Sequence, residues 1–348
     1  MNTKRIPFLD MLRGFAITGI LLVNIGDITR LGDGLDTTAR VAGNTEPAQQ
    51  VLYYLVSCRF VPIFMFLFGI SMGLITRSLR SRGERAWPQL MRRMVALFGF
   101  GMLHSLVYPG EVLREYAIFG LIVLPLVLCC SRRILLAIGL AGTLVTFMIG
   151  GGSAALPGMF CLGAACAAYD LPQRLETAGR GTRPGLWITF ALSIPALIWQ
   201  VSQPGDPRFT TAGGDAGMIM TVLYICALSL LWQTRARNVL TMLFTPLGRM
   251  AFSNYVSASL LAVLAGKALD FRMSTTVLPA LGVAVTILVA QNLVSRWWLA
   301  HFAYGPLEWC WRVVTRWQPV ALRRISQKQG DQPKRSAERE VKLVGSIA

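Results

Sequence analysis

The stretch FLDMLRGFAITGILLVNIGD, residues 8–27, decides the fold, because it is apolar over the length of a membrane-crossing helix. About 20 apolar residues span a hydrocarbon core of about 30 Å. The stretch nevertheless opens with Asp10 and Arg13 and closes with Asn24 and Asp27. At about 100° per residue, these four side chains fall within roughly 100° of one another on one helix stripe. Because lipid would not tolerate such a stripe, we expect it to face the interior of a helix bundle.

The whole chain has the composition of an integral membrane protein. Its 348 residues are 54% hydrophobic and only 15% charged, with a mean hydropathy of +0.52. A soluble domain would carry about a quarter charged residues. The net charge of +17 could suggest nucleic-acid binding, but the basic residues lie in short loops and the tail, without an aromatic-rich polar domain. We interpret them as topology-setting charges and expect no nucleic-acid partner.

Cysteine and histidine usage predicts no metal site. The seven cysteines lie mostly in apolar stretches, form no C-x-x-C pair and are accompanied by only two histidines. Lys4 and Arg5 precede an apolar run as in a signal peptide, but Asp10 and Arg13 interrupt that run early, and no A-x-A cleavage site follows. We therefore expect an uncleaved anchor.

The apolar runs predict an all-α fold, a polytopic membrane bundle of about ten helices. The predicted spans are residues 9–28, 50–76, 90–108, 112–131, 134–151, 154–169, 185–202, 216–233, 247–266 and 276–300. The basic segments would all lie on one side, namely 77–93, 131–133, 170–184 and 233–238, whereas the mildly acidic loops 29–49 and 203–215 would lie on the other. By the positive-inside rule, both termini should face the cytoplasm.

The chain divides into one multi-spanning membrane domain, residues 1–316, and a tail, residues 317–348. The tail is polar, rich in charge and without period, so we expect a disordered cytoplasmic segment near anionic headgroups. We find no soluble domain and no internal repeat.

Polar residues also lie inside other predicted spans. Arg59 is in the second span, His104 is in the outer half of the third, and Glu111 is in the short outer hairpin that follows. Intramembrane ionisable residues are functional candidates by default. We expect one polar pocket at a common depth, enclosed by Asn24, Asp27, Arg59, His104 and Glu111. Alternatively, Arg59 is only the counter-ion of Asp27.

His104 has two interpretations. It is either a structural histidine that is hydrogen-bonded across helices, or a general base. An imidazole near a carboxylate can take a proton from an attacking hydroxyl or amine near neutral pH. His301 lies where the tenth span meets the headgroups, beside Trp297 and Trp298, and we interpret it as an interface anchor.

Two further segments predict helix contacts. Gly69-x-x-x-Gly73 predicts a close approach between helices. Gly305-Pro306 predicts a helix break before an interfacial helix, in which Glu308 and Arg312 would pair at i,i+4.

The segment GRMAFSNY, residues 248–255, places polar side chains near the cytoplasmic end of the ninth span. They either make interhelical hydrogen bonds or line a cavity that faces the cytoplasm.

Four blocks of the sequence carry a family resemblance. They are RIPFLDMLRGFAITGILLVNI, GMLHSLVYPGEVLREYAIFGLIVLP, GRMAFSNY and YGPLEWCWR, in this order between about residues 5 and 316. Together they resemble the YeiB-like membrane protein family, which is catalogued by its C-terminal domain of unknown function 418, here about residues 160–316. The resemblance implies a multi-pass protein of the bacterial cytoplasmic (inner) membrane.

That family is grouped with transmembrane acyltransferases of the heparan-α-glucosaminide N-acetyltransferase type, whose first span carries a similar D-x-x-R-G…N pattern. Those proteins take an acyl group from cytoplasmic acyl-CoA and place it on an acceptor across the membrane. By this analogy Asn24 matches an asparagine near the reaction centre. The catalytic histidine of that type precedes the second span, where this chain has none. Either His104 substitutes for it, or the chemistry is absent.

The first functional hypothesis is therefore an acyltransferase with acyl-CoA as co-substrate, no tightly bound cofactor, and a small-molecule, lipid or glycan acceptor. Arg13, Arg93 and Arg249 would meet the CoA phosphates. His104 would deprotonate the acceptor, Glu111 or Asp27 would orient its imidazole, and Asn24 would donate a hydrogen bond to the oxyanion. The remaining candidate substrate-binding residues are Asp10, Arg59, Asn254 and Tyr255.

The second hypothesis is a transporter or exporter of a small anionic solute. Transporters often contain paired broken helices. This sequence predicts one Pro-broken span, at Val61-Pro62, and no partner in the second half. A third hypothesis is a scaffold, which predicts neither turnover nor flux. The oligomeric state stays open, with a homodimer among the alternatives.

Overall fold

The structure, a computed structural model, describes residues 5–36, 43, 46–317 and 320–323. These residues form an all-helical bundle, in which the described β-structure is one isolated bridge between Phe302 and Arg323. We number the α-helices of the described part in chain order: α1 (Pro7–Thr29), α2 (Pro47–Leu55), α3 (Phe60–Arg80), α4 (Ala86–Ser105), α5 (Leu113–Cys129), α6 (Arg132–Met148), α7 (Leu156–Ala168), α8 (Leu171–Glu176), α9 (Thr182–Ser202), α10 (Thr211–Leu231), α11 (Ala236–Arg249), α12 (Ala251–Leu269), α13 (Leu278–His301) and α14 (Pro306–Arg316).

Every predicted span has a helical counterpart, but two of the spans are not continuous as predicted. The second is split into α2 and α3, and the ninth begins at Ala251 because a separate helix, α11, ends at Arg249. In the described part, six stretches are long and apolar enough to cross a membrane: Pro7–Thr29, Pro47–Arg80, Thr182–Ser202, Thr211–Leu231, Ala251–Leu269 and Leu278–His301. The chain is thus a multi-pass membrane protein, and the count of about ten spans stays a prediction.

The helices run between two ends of the bundle. We call the end where α1 begins the proximal end, and the end where α1 stops the distal end. Phe60 at the start of α3 lies against Gly19 of α1, and Ser71 in the middle of α3 accepts a hydrogen bond from Arg13, which is nearer the start of α1. The two helices therefore run antiparallel, and the basic loop after α3 lies proximally. Asp27 near the end of α1 contacts Arg208, so the acidic loop 203–215 lies distally. Which end faces the cytoplasm stays a prediction.

The apolar core lies between α1, α3, α5 and α7. Its fully buried side chains include Phe8, Leu12, Ile63, Leu124 and Phe160. The outer helices instead expose large apolar side chains, as α9 does with Trp187, Phe190 and Ile198. A bundle that is apolar on its outer surface is suited to hydrocarbon, because lipid tails cost such side chains nothing.

Residues 56–59 interrupt the second predicted span because their backbone leaves the helical conformation. Cys58 has a φ of +64°, which L-residues rarely adopt. Thr221 of α10 donates a hydrogen bond of 2.7 Å to the carbonyl of Arg59, so a neighbouring helix anchors the break. Pro62 does not break the span. It lies in the first turn of α3, where its missing N–H is tolerated.

Glycine permits two close helix crossings. A Cβ atom at Gly73 would lie 2.8 Å from the carbonyl oxygen of Ala164 in α7, and one at Gly69 would also overlap the α7 backbone. The predicted close approach at Gly69-x-x-x-Gly73 is therefore confirmed. A Cβ atom at Gly14 of α1 would overlap the backbone of Phe244 in α11. This second crossing was not predicted, because α11 itself was not.

The predicted break before the last helix is present. Gly305 is the N-cap of α14 and Pro306 is its first residue. The helix lies at the proximal end, where the Trp311 indole N–H donates a hydrogen bond of 3.1 Å to the carbonyl of Arg93 in α4. Of the predicted tail, residues 318–319 and 324–348 lie outside the described residues.

Candidate functional site

Glu308, in the first turn of α14, joins that helix to the start of α12. Its carboxylate accepts hydrogen bonds from the backbone N–H groups of Phe252 (2.7 Å) and Ser253 (3.0 Å) and from the Ser253 hydroxyl (2.6 Å). The negative charge also stabilises the N-terminus of α12. The expected ion pair of Glu308 with Arg312 does not form, because the carboxylate is occupied by this cap. Arg312 instead stacks over Tyr304, 4.3 Å from the ring centroid.

Asn254, the next residue of α12, is buried and hydrogen-bonded to its neighbours. Its amide donates to the Leu247 carbonyl (3.2 Å) and to the Ser295 hydroxyl of α13 (3.1 Å). Gln291 of α13 donates to the Asn254 carbonyl at 2.8 Å. Interhelical hydrogen bonding, one of the two interpretations of this segment, is thus what these side chains do.

The charged residues at the start of α1 form a small proximal network. Asp10 binds Arg5 at 2.5 Å and also Arg13, three residues further along α1, at 3.4 Å. Arg13 also donates a hydrogen bond of 3.3 Å to Ser71. One carboxylate therefore serves two guanidinium groups, and the network keeps a net positive charge.

Arg93 of α4 adds to this positive charge. Its guanidinium lies 3.7 Å from the centroid of the Trp311 ring in α14. Among the described residues no carboxylate pairs with it. The charged groups within electrostatic range of Arg93 are Arg13, Arg312 and Arg316. Partly buried arginines that outnumber their carboxylates are suited to bind an anion such as a phosphate.

Arg249 ends α11 and is half-buried. A Cβ atom at the preceding Gly248 would lie 2.6 Å from the backbone nitrogen of Gly14. The α1–α11 crossing therefore puts Arg249 at the same end of the bundle as Arg13 and Arg93.

His104 is buried without a hydrogen-bond partner. It is 5% exposed, and neither ring nitrogen has a described partner. Its ring centroid lies 5.3 Å from Tyr255 of α12 and 6.5 Å from Tyr108. A structural histidine would be hydrogen-bonded across helices, but His104 makes no such bond to any described residue. A buried unpaired polar group costs about 1–3 kcal/mol, which a ligand that supplies the partner would recover.

Glu111 is fully buried and caps α5. Its carboxylate accepts hydrogen bonds from the backbone N–H of Leu113 (2.6 Å), the backbone N–H of Arg114 (3.3 Å) and the Arg114 guanidinium (2.6 Å). Its charge lies within electrostatic range of His104, but no hydrogen bond joins the two side chains. Glu111 can therefore act on the imidazole only through its field.

Two tyrosines line the region of His104. The Tyr255 hydroxyl accepts a hydrogen bond of 3.4 Å from the backbone N–H of Val112. Tyr108 follows α4, and its phenol is protonated at neutral pH, so it can donate a hydrogen bond.

Asp27 pairs with Arg208, in the loop between α9 and α10. Asp206 binds the same guanidinium at 2.7 Å. The alternative in which Arg59 is the counter-ion of Asp27 is therefore wrong. Asn24, one turn before Asp27, is half-buried, and its side chain makes no hydrogen bond with a described residue.

The pair of Asp27 and Arg208 lines a distal cavity of about 270 Å³. Tyr53, Gln49 and Thr275 contribute further polar groups to its wall. Neither His104 nor Asn24 is among the lining residues.

Arg59 lies in a different environment, at the break between α2 and α3. Its side chain is fully buried and donates to the Ser57 carbonyl, to Gln200 Oε1 (2.6 Å) and to Met220 Sδ (3.4 Å). Gln200 in turn donates to the Tyr53 carbonyl at 3.0 Å. Arg59 thus braces the broken span through neutral partners, and its Nε atom has none among the described residues.

The structure therefore distributes the five expected pocket residues over separate surroundings. His104 and Glu111 are neighbours, Asp27 faces the distal cavity, and Arg59 lies in the helix break. Sequence reasoning missed three residues that partner them or extend the proximal charge: Arg208, Gln200 and Arg316. It named Arg312 only as the expected partner of Glu308. The sequence carried a signal only for Arg208, in the Asp206-Pro-Arg208 spacing of the distal loop.

Comparisons with known proteins place the chain in a family of uncharacterized proteins. A family model described as protein of unknown function (DUF418) matches residues 170–318. The chain is 32% identical over 343 residues to an uncharacterized 39.9 kDa protein in the amylase 3' region of Bacillus acidopullulyticus, over 92% of this chain and 97% of the relative.

Two further relatives are also uncharacterized. YxaH of Bacillus subtilis (strain 168) is 27% identical over 92% of this chain and 97% of its own length. YeiB of Escherichia coli (strain K12) is 25% identical over 88% of this chain and 95% of its own length. No solved structure matches the chain.

Proposed function

The chain belongs to the YeiB-like membrane protein family, and on that premise we propose that it is a transmembrane acyltransferase of the inner membrane. It would move an acyl group from an acyl-CoA at the proximal end to a hydroxyl or amine acceptor that arrives from the distal end. The observation that carries this proposal is on α4. One stripe of that helix bears both Arg93, in the positive proximal cluster, and the unpaired, buried His104.

The proximal cluster supports binding of the donor phosphates. Arg93, Arg13 and Arg249 lie at this end, as do Arg312 and Arg316, which were not among the predicted phosphate-binding residues. Guanidinium groups match phosphate oxygens in geometry and charge. From Arg93, eleven residues of helix rise about 16 Å to His104. A donor with a phosphate head and a long thin arm suits that separation.

His104 is the proposed general base. It takes the proton of the acceptor as the acceptor oxygen or nitrogen attacks the thioester carbonyl. Asn24 donates a hydrogen bond to the tetrahedral oxyanion. The carbon–sulfur bond then breaks, and CoA leaves as the thiol with the proton from His104. Glu111 stabilises the imidazolium through its field, and Asp27 orients the acceptor at the distal entrance.

A comparison of the two histidines tests the proposal. The purified chain is reconstituted and supplied with acetyl-CoA or longer acyl-CoAs and a panel of small amines and polyols, and acceptor-dependent thiol release is measured. We expect His104→Ala to lower the rate by about 100-fold or more. His301→Ala is the matched control, because that imidazole is exposed and bound to the Trp297 carbonyl. Equal rates for His104→Ala and the wild type would remove His104 from the mechanism.

Transport of a small anionic solute is the second candidate, and the broken second span favours it. Discontinuous helices often line transporter sites. Here the break carries the buried Arg59, close to the distal cavity through Ser57 and Tyr53. Flux of an anion into proteoliposomes without any acyl donor, abolished by Arg59→Met, would favour transport over acyl transfer.

A further inference from the structure

An open groove of about 650 Å³ lies at the proximal end, between the start of α1, α11 and α13. Its polar wall on α11 includes Arg237, Thr241 and Thr245, which recur every four residues and so share one helix face, together with Asn238. Arg296 of α13 and Trp232 complete the wall. None of the residues assigned to acyl transfer lines this groove.

Two buried polar atoms in this wall have no described partner. Trp232 is 2% exposed, and its indole N–H donates no hydrogen bond. The buried Thr245 hydroxyl is also unpaired. The Trp232 ring is held between Phe8 at 5.8 Å and the Arg237 guanidinium at 4.8 Å, so the indole is fixed in place. The Trp232 indole N–H and the Thr245 hydroxyl are therefore both able to donate a hydrogen bond to a bound acceptor.

The groove also carries uncompensated positive charge. Arg237 and Arg296 are exposed and form no ion pair within the described residues, and no carboxylate lines the groove. Two guanidinium groups with a hydroxyl and an indole N–H suit a group that is anionic and rich in acceptor oxygens. A phosphate diester has both properties.

The surroundings of the groove select a lipid rather than a soluble phosphate. On α11 three large apolar side chains are exposed at the groove, Met242 in its lining and Val239 and Leu243 beside it. On α13, Leu293 and Val294 are exposed in the same way. A soluble ligand gains nothing from apolar flanks that face outward, whereas acyl chains would lie along them.

We propose that the groove between α1, α11 and α13 binds the phosphate headgroup of an anionic phospholipid, whose acyl chains lie against the outer faces of α11 and α13. Basic pockets between membrane helices are known to hold such headgroups. This site is independent of the proposed acyl transfer, since it shares no residue with it.

Native mass spectrometry of the full chain in detergent, titrated with phosphatidylglycerol or phosphatidylcholine, tests the site. We expect phosphatidylglycerol to be retained in preference to phosphatidylcholine. Arg237→Gln or Arg296→Gln should each weaken that retention about fivefold, and the double variant roughly 25-fold. Thr245→Val, which keeps the charge and the shape, should weaken it as well.

Arg235→Gln is the matched control, because Arg235 is exposed at the start of the same helix but does not line the groove. Thermal unfolding of each variant shows that the fold is retained. Equal retention of the two lipids, or equal weakening by Arg235→Gln and Arg237→Gln, would overturn the site. Full displacement of the lipid by glycerol phosphate would instead identify a site for soluble phosphates and overturn the lipid assignment.

Discussion

Successive residues of α12 belong to two polar regions that differ in how their hydrogen bonds are satisfied. Ser253 and Asn254 are part of what we call the proximal joint, in which Glu308 caps α12 and the glycine crossing joins α1 to α11. Tyr255 faces the His104 region, where both imidazole nitrogens lack partners. Satisfied polar groups hold helices together, whereas unsatisfied ones are a cost that only a bound molecule relieves.

The largest expected effect is on stability, in the proximal joint. Glu308→Ala removes three hydrogen bonds to a charged acceptor and the cap of α12, so the free energy of unfolding should fall by about 4 kcal/mol. Unfolding in mixed micelles by increasing SDS measures this change. Glu84→Ala is the control, because Glu84 is an exposed carboxylate paired with Arg82; its effect should stay below about 1 kcal/mol. Similar losses of unfolding free energy in Glu308→Ala and Glu84→Ala would show that the proximal joint contributes no special stability.

The next effect concerns the packing of the two regions. Gly14→Ala drives a methyl group into the backbone of α11 and should cost about 2 kcal/mol of unfolding free energy. Gly99 of α4 is exposed and has open space at its Cβ position. Gly99→Ala, the control, should therefore stabilise the chain by up to about 1 kcal/mol, because alanine has the higher helix propensity. The same SDS titration measures both, and equal effects of the two alanine substitutions would show that the close crossing at Gly14 contributes nothing to stability.

Two asparagines give a smaller contrast. Asn254→Ala removes hydrogen bonds to Leu247 and Ser295 and should cost about 1–1.5 kcal/mol. Asn24→Ala removes no hydrogen bond of the described structure, so its unfolding free energy should change by less than about 0.5 kcal/mol. Its acyl transfer rate should fall about 100-fold if it donates to the oxyanion. An Asn24→Ala variant that is both stable and fully active would leave Asn24 without a role.

The last variant, at His104, separates a structural role from a catalytic one. His104→Phe replaces a buried unpaired imidazole by an apolar ring, so the unfolding free energy should stay constant or rise by about 1 kcal/mol. Thiol release should nevertheless be lost. A loss of stability as large as that of Glu308→Ala would show that His104 has a structural role after all.

Helix positions and exposed faces could largely be predicted, because apolar length and periodicity are local properties. The partners of polar residues could not. Glu308 was expected to bind Arg312 one turn away, but the unsatisfied N–H group of Ser253, 55 positions earlier in the chain, binds it instead. Asp27 likewise pairs with Arg208, 181 positions away. Depth in the membrane follows from sequence position, whereas the angle between helices depends on packing.

The break at Cys58 and the separate helix α11 escaped prediction for related reasons. The apolar residues on both sides of Ser57-Cys58-Arg59 continue the membrane-length run, so hydrophobicity alone gives no sign that the backbone turns there. The predicted ninth span, residues 247–266, joined the last three residues of α11 to α12 across Met250, and the rest of α11 was not predicted as a helix. The unpaired state of His104 is also a property of packing that no spacing reveals.

The glycine crossing of α1 with α11 also has a consequence for water. Where backbone touches backbone at Gly14, no water molecule fits between the two helices. Gly73 and Ala164 make a similarly dry contact between α3 and α7. Hydration of α1 is thereby confined to its other faces, which include the one that carries Arg13 and Asn24.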